Sequence, residues 1–177
     1  MKKTLLALLA AAAILAPLPA QAAAPAAEQP PQGGILTGMP NPYTEYSTLA
    51  EMKQVLGFMP LTMPKDSHFK YTAKYIISGT TADLRFKGDK DETAGIRSAR
   101  MDIAGMEDIS GYYSVQWEDL HISQTDLHIV YLDYDSYVAR WTHGKYTFAF
   151  NAHAMTREKY HKLLRSLVQT TEQKYDN

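Results

Sequence analysis

The feature that most constrains this chain is the stretch from Thr93 to Asn151. Five strand-like segments follow one another there with little between them: ETAGIRSARMDI, ISGYYSVQWEDLHI, LHIVYLDY, SYVARWTH and KYTFAFNA. Bulky Tyr, Trp, Ile and Val alternate with polar neighbours, the mark of half-buried β-strands. Turns are expected at 105–108, 124–126, 133–136 and 143–145, where Gly, Asp, Ser and other polar residues gather. Short turns make neighbouring strands antiparallel. The expected inward set is Val115 and Trp117, Ile129 and Tyr131, Ala139 and Trp141, and Phe148 and Phe150. By parity Tyr112, Val130, Leu132 and Val138 fall on the opposite side.

Two more strands precede that block. His68 to Ser78 alternates Phe69, Tyr71, Ala73, Tyr75 and Ile77 with mostly polar residues, Gly79-Thr80 turns the chain, and Ala82, Leu84 and Phe86 mark a short return strand. Helices flank the whole. Thr48-Leu49-Ala50-Glu51 is a capping box, followed by Leu49, Met52, Val55 and Leu56 at helical spacing and by Gly57 as a stop. Phe58 to Pro64 then reads as an extended apolar connector. At the far end Thr156 caps a helix whose Tyr160, Leu163, Leu164, Leu167 and Val168 form one apolar stripe. The polar run after Gln169 is expected to fray. The predicted fold is α+β: a curved antiparallel sheet of about six strands with an N-terminal and a C-terminal helix packed on it. The domain is expected over 41–170, with 171–177 a frayed tail.

The first residues carry an address. Met1-Lys2-Lys3, the apolar run Leu5 to Leu15, and Ala20-Gln21-Ala22 match a secretory signal peptide over 1–22. Its apolar run is shorter than the roughly 20 residues that span a bilayer. Residues 23–40, rich in Ala, Pro, Gln and Gly, read as a disordered linker. The expected destination is the periplasm or the exterior, with no transmembrane segment after cleavage. There is no cysteine, so neither a disulfide framework nor a thiolate metal site is available. The formal net charge is −1 and becomes more negative when Lys2 and Lys3 leave with the leader, so the basic footprint of a nucleic-acid binder is missing.

No catalytic constellation stands out. Ser67-His68-Phe69-Lys70 matches a Ser-x-x-Lys nucleophile motif, but it falls in a strand and its companion motifs do not occur. Asp89-x-Asp91 hints at calcium without the rest of the ligand loop. None of the six histidines pairs with another at a spacing that aims two imidazoles at one ion. Arg97, Arg100 and Arg140 fall in strands, where they can pair with Asp102 or Glu118 or offer an anion site.

A set of short motifs runs in a familiar order: Asn41-Pro42 with Tyr46, Thr48-Leu49 and Glu51, then Leu56-Gly57-Phe58 with Pro60, Arg100 with Gly105, Ile109-Ser110-Gly111-Tyr112, and Ala139 with Trp141. Over roughly Asn41 to Leu167 the chain resembles a bacterial domain family of unknown function found in exported and membrane-anchored proteins. Some relatives are linked to envelope signalling or anti-sigma regulation. The resemblance implies an envelope setting and no catalytic residues. Two helices can cover one sheet face only, which leaves the other to display its Tyr, Val and Leu. The expected function is therefore an exported, non-enzymatic envelope module. It would bind a protein partner or an apolar ligand through an aromatic face around Tyr112, Val130, Leu132, Val138 and Arg140, without a cofactor or metal. The alternative is a hydrolase whose site is assembled from distant residues.

Overall fold

Helix α1 (Leu49–Leu56) starts where its capping box places it: the Thr48 hydroxyl accepts from the Glu51 amide at 3.2 Å, and the Glu51 carboxylate accepts from the Thr48 amide at 3.1 Å. Gly57 closes the helix in the left-handed region at φ 76°. The computed structural model describes residues 41–175, which lie within one compact unit. The expected signal peptide and linker lie outside the described residues.

Eight strands form one antiparallel sheet: β1 (Tyr43–Glu45), β2 (Lys70–Ile77), β3 (Thr81–Lys87), β4 (Thr93–Arg100), β5 (Glu118–Ile122), β6 (Thr125–Asp133), β7 (Ser136–His143) and β8 (Tyr146–His153). Their order is β1-β2-β3-β4-β8-β7-β6-β5, so two four-stranded meanders meet along β4 and β8. Ile96 stands opposite Phe150 at that seam, and Ser98 opposite Phe148. The class is the expected α+β, but the sheet has eight strands rather than six. β1 carries only three residues, too few for an alternation to be read.

One face of the sheet holds the main core. Ile76, Leu84, Ile96, Phe148, Phe150, Ala139, Trp141, Leu127 and Ile129 come from six strands. They meet Met52 and Leu56 of α1, Leu61 and Met63 of the connector, and the stripe Tyr160, Leu163, Leu164, Leu167 and Val168 of α3 (Arg157–Lys174). Each fully buried Leu in that stripe contributes about 1.5–3 kcal/mol. Tyr160 lies flat on Phe150, ring centroids 4.8 Å apart, and its hydroxyl donates to the Phe150 carbonyl at 3.0 Å. That bond satisfies the one polar atom of a wholly buried side chain.

Two expectations need correction. The tail does not fray at Gln169: α3 continues to Lys174, with Thr171 buried against Trp141 and Tyr175 buried against Tyr146 and Phe148. The polar run contains two residues that complete the core, and the apolar stripe alone did not reveal them. The strand expected over ISGYYSVQWEDLHI is confined to Glu118–Ile122. Residues 101–117 form a crossover that begins with the short helix α2 (Met101–Ala104). Among the described residues no helix is long and apolar enough to cross a membrane.

Candidate functional site

The second sheet face is built from the alternate residues of the same strands. Asp83, Arg85 and Lys87 of β3, Gly95, Arg97 and Ala99 of β4, Thr147, Ala149 and Asn151 of β8, and Val138 and Arg140 of β7 share it by register. The crossover is laid over its middle. Ile109 is buried with Ala99 and Ala149, and Ala104 packs beside them. Polar bonds fix the segment from below. Arg97 Nη1 donates to the Ile109 carbonyl at 3.0 Å and the Ser110 carbonyl at 3.2 Å, and the Thr147 hydroxyl donates to the Glu107 carbonyl. Gly111 sits at φ 83°, and a Cβ there would lie 2.7 Å from Arg97 Nη1. Glycine thus serves both the turn and the guanidinium beneath it.

This crossover overturns the expected open aromatic face. Val138 is 1% exposed and Val130 8% exposed, so neither can be a contact surface. Arg140 is ion-paired to Asp108 at 2.6 Å and lies over the Trp117 ring, 4.6 Å from its centroid. Tyr112 belongs to the crossover, half-buried, rather than to a strand. Leu132 alone of the five is exposed, at an irregularity in the β6–β7 pairing. The five residues do not form one patch. The connector Phe58 to Pro64 packs on the helix-bearing face, where the Leu61 amide donates to the Ser98 hydroxyl at 3.3 Å.

Beside the crossover a groove of about 440 Å³ remains open over β3, β4 and β8. At its floor lies Asp83, 4% exposed. Arg85 donates to Asp83 Oδ2 from Nε at 3.3 Å and from Nη2 at 3.1 Å, and Arg97 Nε approaches Oδ1 at 3.6 Å. Two cations thus share one buried carboxylate. Arg85 is steadied further by the Tyr43 and Tyr75 rings, at 5.5 and 5.0 Å. Gly95 lets Asn151 lie across it: a Cβ at 95 would sit 2.4 Å from Asn151 Oδ1. The side chains of Lys87, Thr93 and Asn151 line this groove with no partner among the described residues. Ala82, Leu84 and Phe86 mark β3 in the sequence, and the alternation that makes them a strand also places Asp83, Arg85 and Lys87 together on the other side, a signal the sequence analysis did not use.

On the far side of the crossover, the β5–β6 hairpin carries two cross-strand pairs. His121 Nδ1 meets Asp126 at 2.7 Å and His128 Nδ1 meets Asp119 at 2.8 Å, each pair directly in register. The Asp126 partner raises the His121 pKa, chiefly through that hydrogen bond. Among the described residues no group of three or more His, Cys, Asp or Glu side chains could hold a metal ion.

A serine, a histidine and an aspartate do come together where β7 begins and β8 ends. His153 Nδ1 lies 3.0 Å from Ser136 Oγ, which in turn donates to Asp135 at 3.2 Å. Their order is wrong for nucleophilic catalysis, where the histidine stands between the hydroxyl and the acid and takes the hydroxyl's proton. Here the hydroxyl is in the middle and donates its hydrogen bond to the acid.

No family model, curated protein or solved structure matches the chain. The likeness to exported envelope domains rests on its short motifs alone.

Proposed function

We propose that this chain is an exported, non-enzymatic binding module whose ligand sits in the groove over β3, β4 and β8. The observation that carries the reading is the set of side chains around that groove. Lys87, Thr93 and Asn151 present polar groups with no protein partner, above a floor held rigid by Asp83 and its two arginines. Concave sites with a few fixed, convergent polar groups are where small ligands bind. The leader-like residues 1–22 support export, and the misordered Ser136, His153 and Asp135 weigh against the hydrolase reading. The contact surface of the reading is polar and lies beside the crossover, in place of the apolar face around Val138.

The test is a screen of small polar compounds read by backbone amide chemical shifts. Compounds that bind should move Gly95, Arg97, Asn151 and His153 together. Hits confined to other surfaces, or no hits across acids, bases and sugars, would remove the groove as the seat.

A further inference from the structure

We infer that the groove over β3, β4 and β8 takes an oxyanion, the carboxylate or phosphate group of a small ligand. The inference rests on that groove being the ligand seat. Its charge is unbalanced: Arg85, Lys87 and Arg97 line it against the single carboxylate of Asp83. In a chain of formal net charge −1, such an excess is a local construction rather than a general basic character.

Donor and acceptor accounting points the same way. Lysine and arginine only donate hydrogen bonds, and an ionised aspartate only accepts them. Asp83 is already committed, with Arg85 on one oxygen and Arg97 beside the other. The Arg97 Nη1 group is spent on the carbonyls of Ile109 and Ser110. That leaves Arg85 Nη1, Arg97 Nη2, the Lys87 ammonium and the Asn151 amide as donors without protein acceptors. A cation or a donor-rich ligand would find no free carboxylate there. A group with several anionic oxygens would find several donors, two of them on guanidinium groups suited to planar, multi-point recognition.

The arginines are also held before any ligand arrives. Asp83 fixes both, the Tyr43 and Tyr75 rings flank Arg85, and the crossover carbonyls clamp Arg97. Ordering long side chains in advance removes a cost that binding otherwise bears. Asp83 is thus a positioning residue, not a contact for the ligand.

The experiment titrates the full chain with inorganic phosphate, succinate and glucose, reading amide shifts. Phosphate or succinate should move Gly95, Arg97 and Asn151, and added NaCl should weaken the effect. Lys87→Gln should weaken binding about threefold and Arg97→Gln about tenfold, as expected for losing one of a few charge-assisted contacts. Lys53→Gln, on α1, should change nothing. Saturation by phosphate alone assigns a phosphoryl ligand, and by succinate alone a carboxylate. Because Arg97 also holds the crossover, Lys87→Gln and Arg85→Gln, judged on variants that melt like the parent, decide the matter if Arg97→Gln unfolds. Glucose moving these amides while neither anion does would overturn the oxyanion and leave the groove as the seat. If neither the anions nor any screened compound moves them, both readings fall. Equal weakening by Lys53→Gln would show diffuse attraction and overturn the inference.

Discussion

Trp141 reaches through the core to the last turn of α3, where its indole N–H donates to the Thr171 hydroxyl at 3.1 Å. That hydroxyl in turn donates a hydrogen bond to the Val168 carbonyl at 2.6 Å. Both side chains are buried, so the pair ties β7 to a helical turn whose sequence, TTEQK, looks solvent-facing. Thr171→Val would keep the shape and leave the indole N–H buried without an acceptor, at a cost of about 1–3 kcal/mol. Urea unfolding should show it. Ending the chain after Gln169 also removes Tyr175 from its place against Tyr146 and Phe148, and should cost more than Thr171→Val. A truncated protein as stable as the parent would contradict the docked last turn.

Asp83→Asn tests the buried carboxylate between Arg85 and Arg97. It removes the compensating charge and leaves Arg97, 23% exposed at its side chain, beside a neutral amide. Breaking a buried ion pair from one side costs about 3–5 kcal/mol, and the partial exposure of both arginines places this case at about 2 kcal/mol. The loss should appear in chemical denaturation, with the crossover amides of Ile109 and Ser110 exchanging faster.

Gly95→Ala separates folding from the groove. The new methyl meets the far end of the Asn151 side chain, which can swing away, so stability should change by less than about 1 kcal/mol. The Asn151 side-chain amide resonances should nevertheless move. A large loss of stability would mean that Asn151 cannot yield, and Gly95→Ala combined with Asn151→Ala would then restore it.

Two histidines should pull the pH dependence of stability in opposite directions. Burial, then Arg157 and Arg165, hold the His161 pKa below its ordinary 6.5, and a neutral ring can share a hydrogen bond with the Tyr131 hydroxyl, 3.2 Å from its Nε2. The unfolded chain therefore takes the proton first. The His161 contribution is intact above pH 6.5 and declines as pH falls through 6.5 toward the lower folded value. His121 is the reverse: its pKa is raised, so its contribution is intact below 6.5 and disappears as pH rises through the folded value. Urea midpoints measured across this range should lose their acid-side decline in His161→Gln. In His121→Gln they should lose a small alkaline-side decline. An unchanged profile in His161→Gln would show that its ring is not held neutral by the fold.

What could be read from the sequence was local. The α1 capping box, the Gly57 stop and the α3 stripe each depend on residues within a turn or two, and all are in place. Strands β6, β7 and β8 announce themselves by alternation and by short turns. The crossover resembles a strand because Val115 and Trp117 alternate with polar neighbours and Tyr112 precedes them as another bulky residue. In fact they are half-buried in a segment anchored by carbonyl contacts from Arg97 and Thr147. Such contacts join residues more than ten positions apart and leave no trace in periodicity. The same holds for the groove, whose walls meet only because β4 pairs with β8.

The order β1-β2-β3-β4-β8-β7-β6-β5 also bears on how the protein reaches its native state. Within each meander every strand pairs with the next in the chain, and apart from β1, which reaches β2 by way of α1, each half can assemble through short loop closures. The β4–β8 seam joins residues far apart in the chain, such as Ile96 and Phe150, and closing that loop carries the largest entropic cost of any pairing. The seam should therefore be the late, rate-setting event. Phe150→Leu would slow refolding more than a comparable change in β2 such as Ile76→Val.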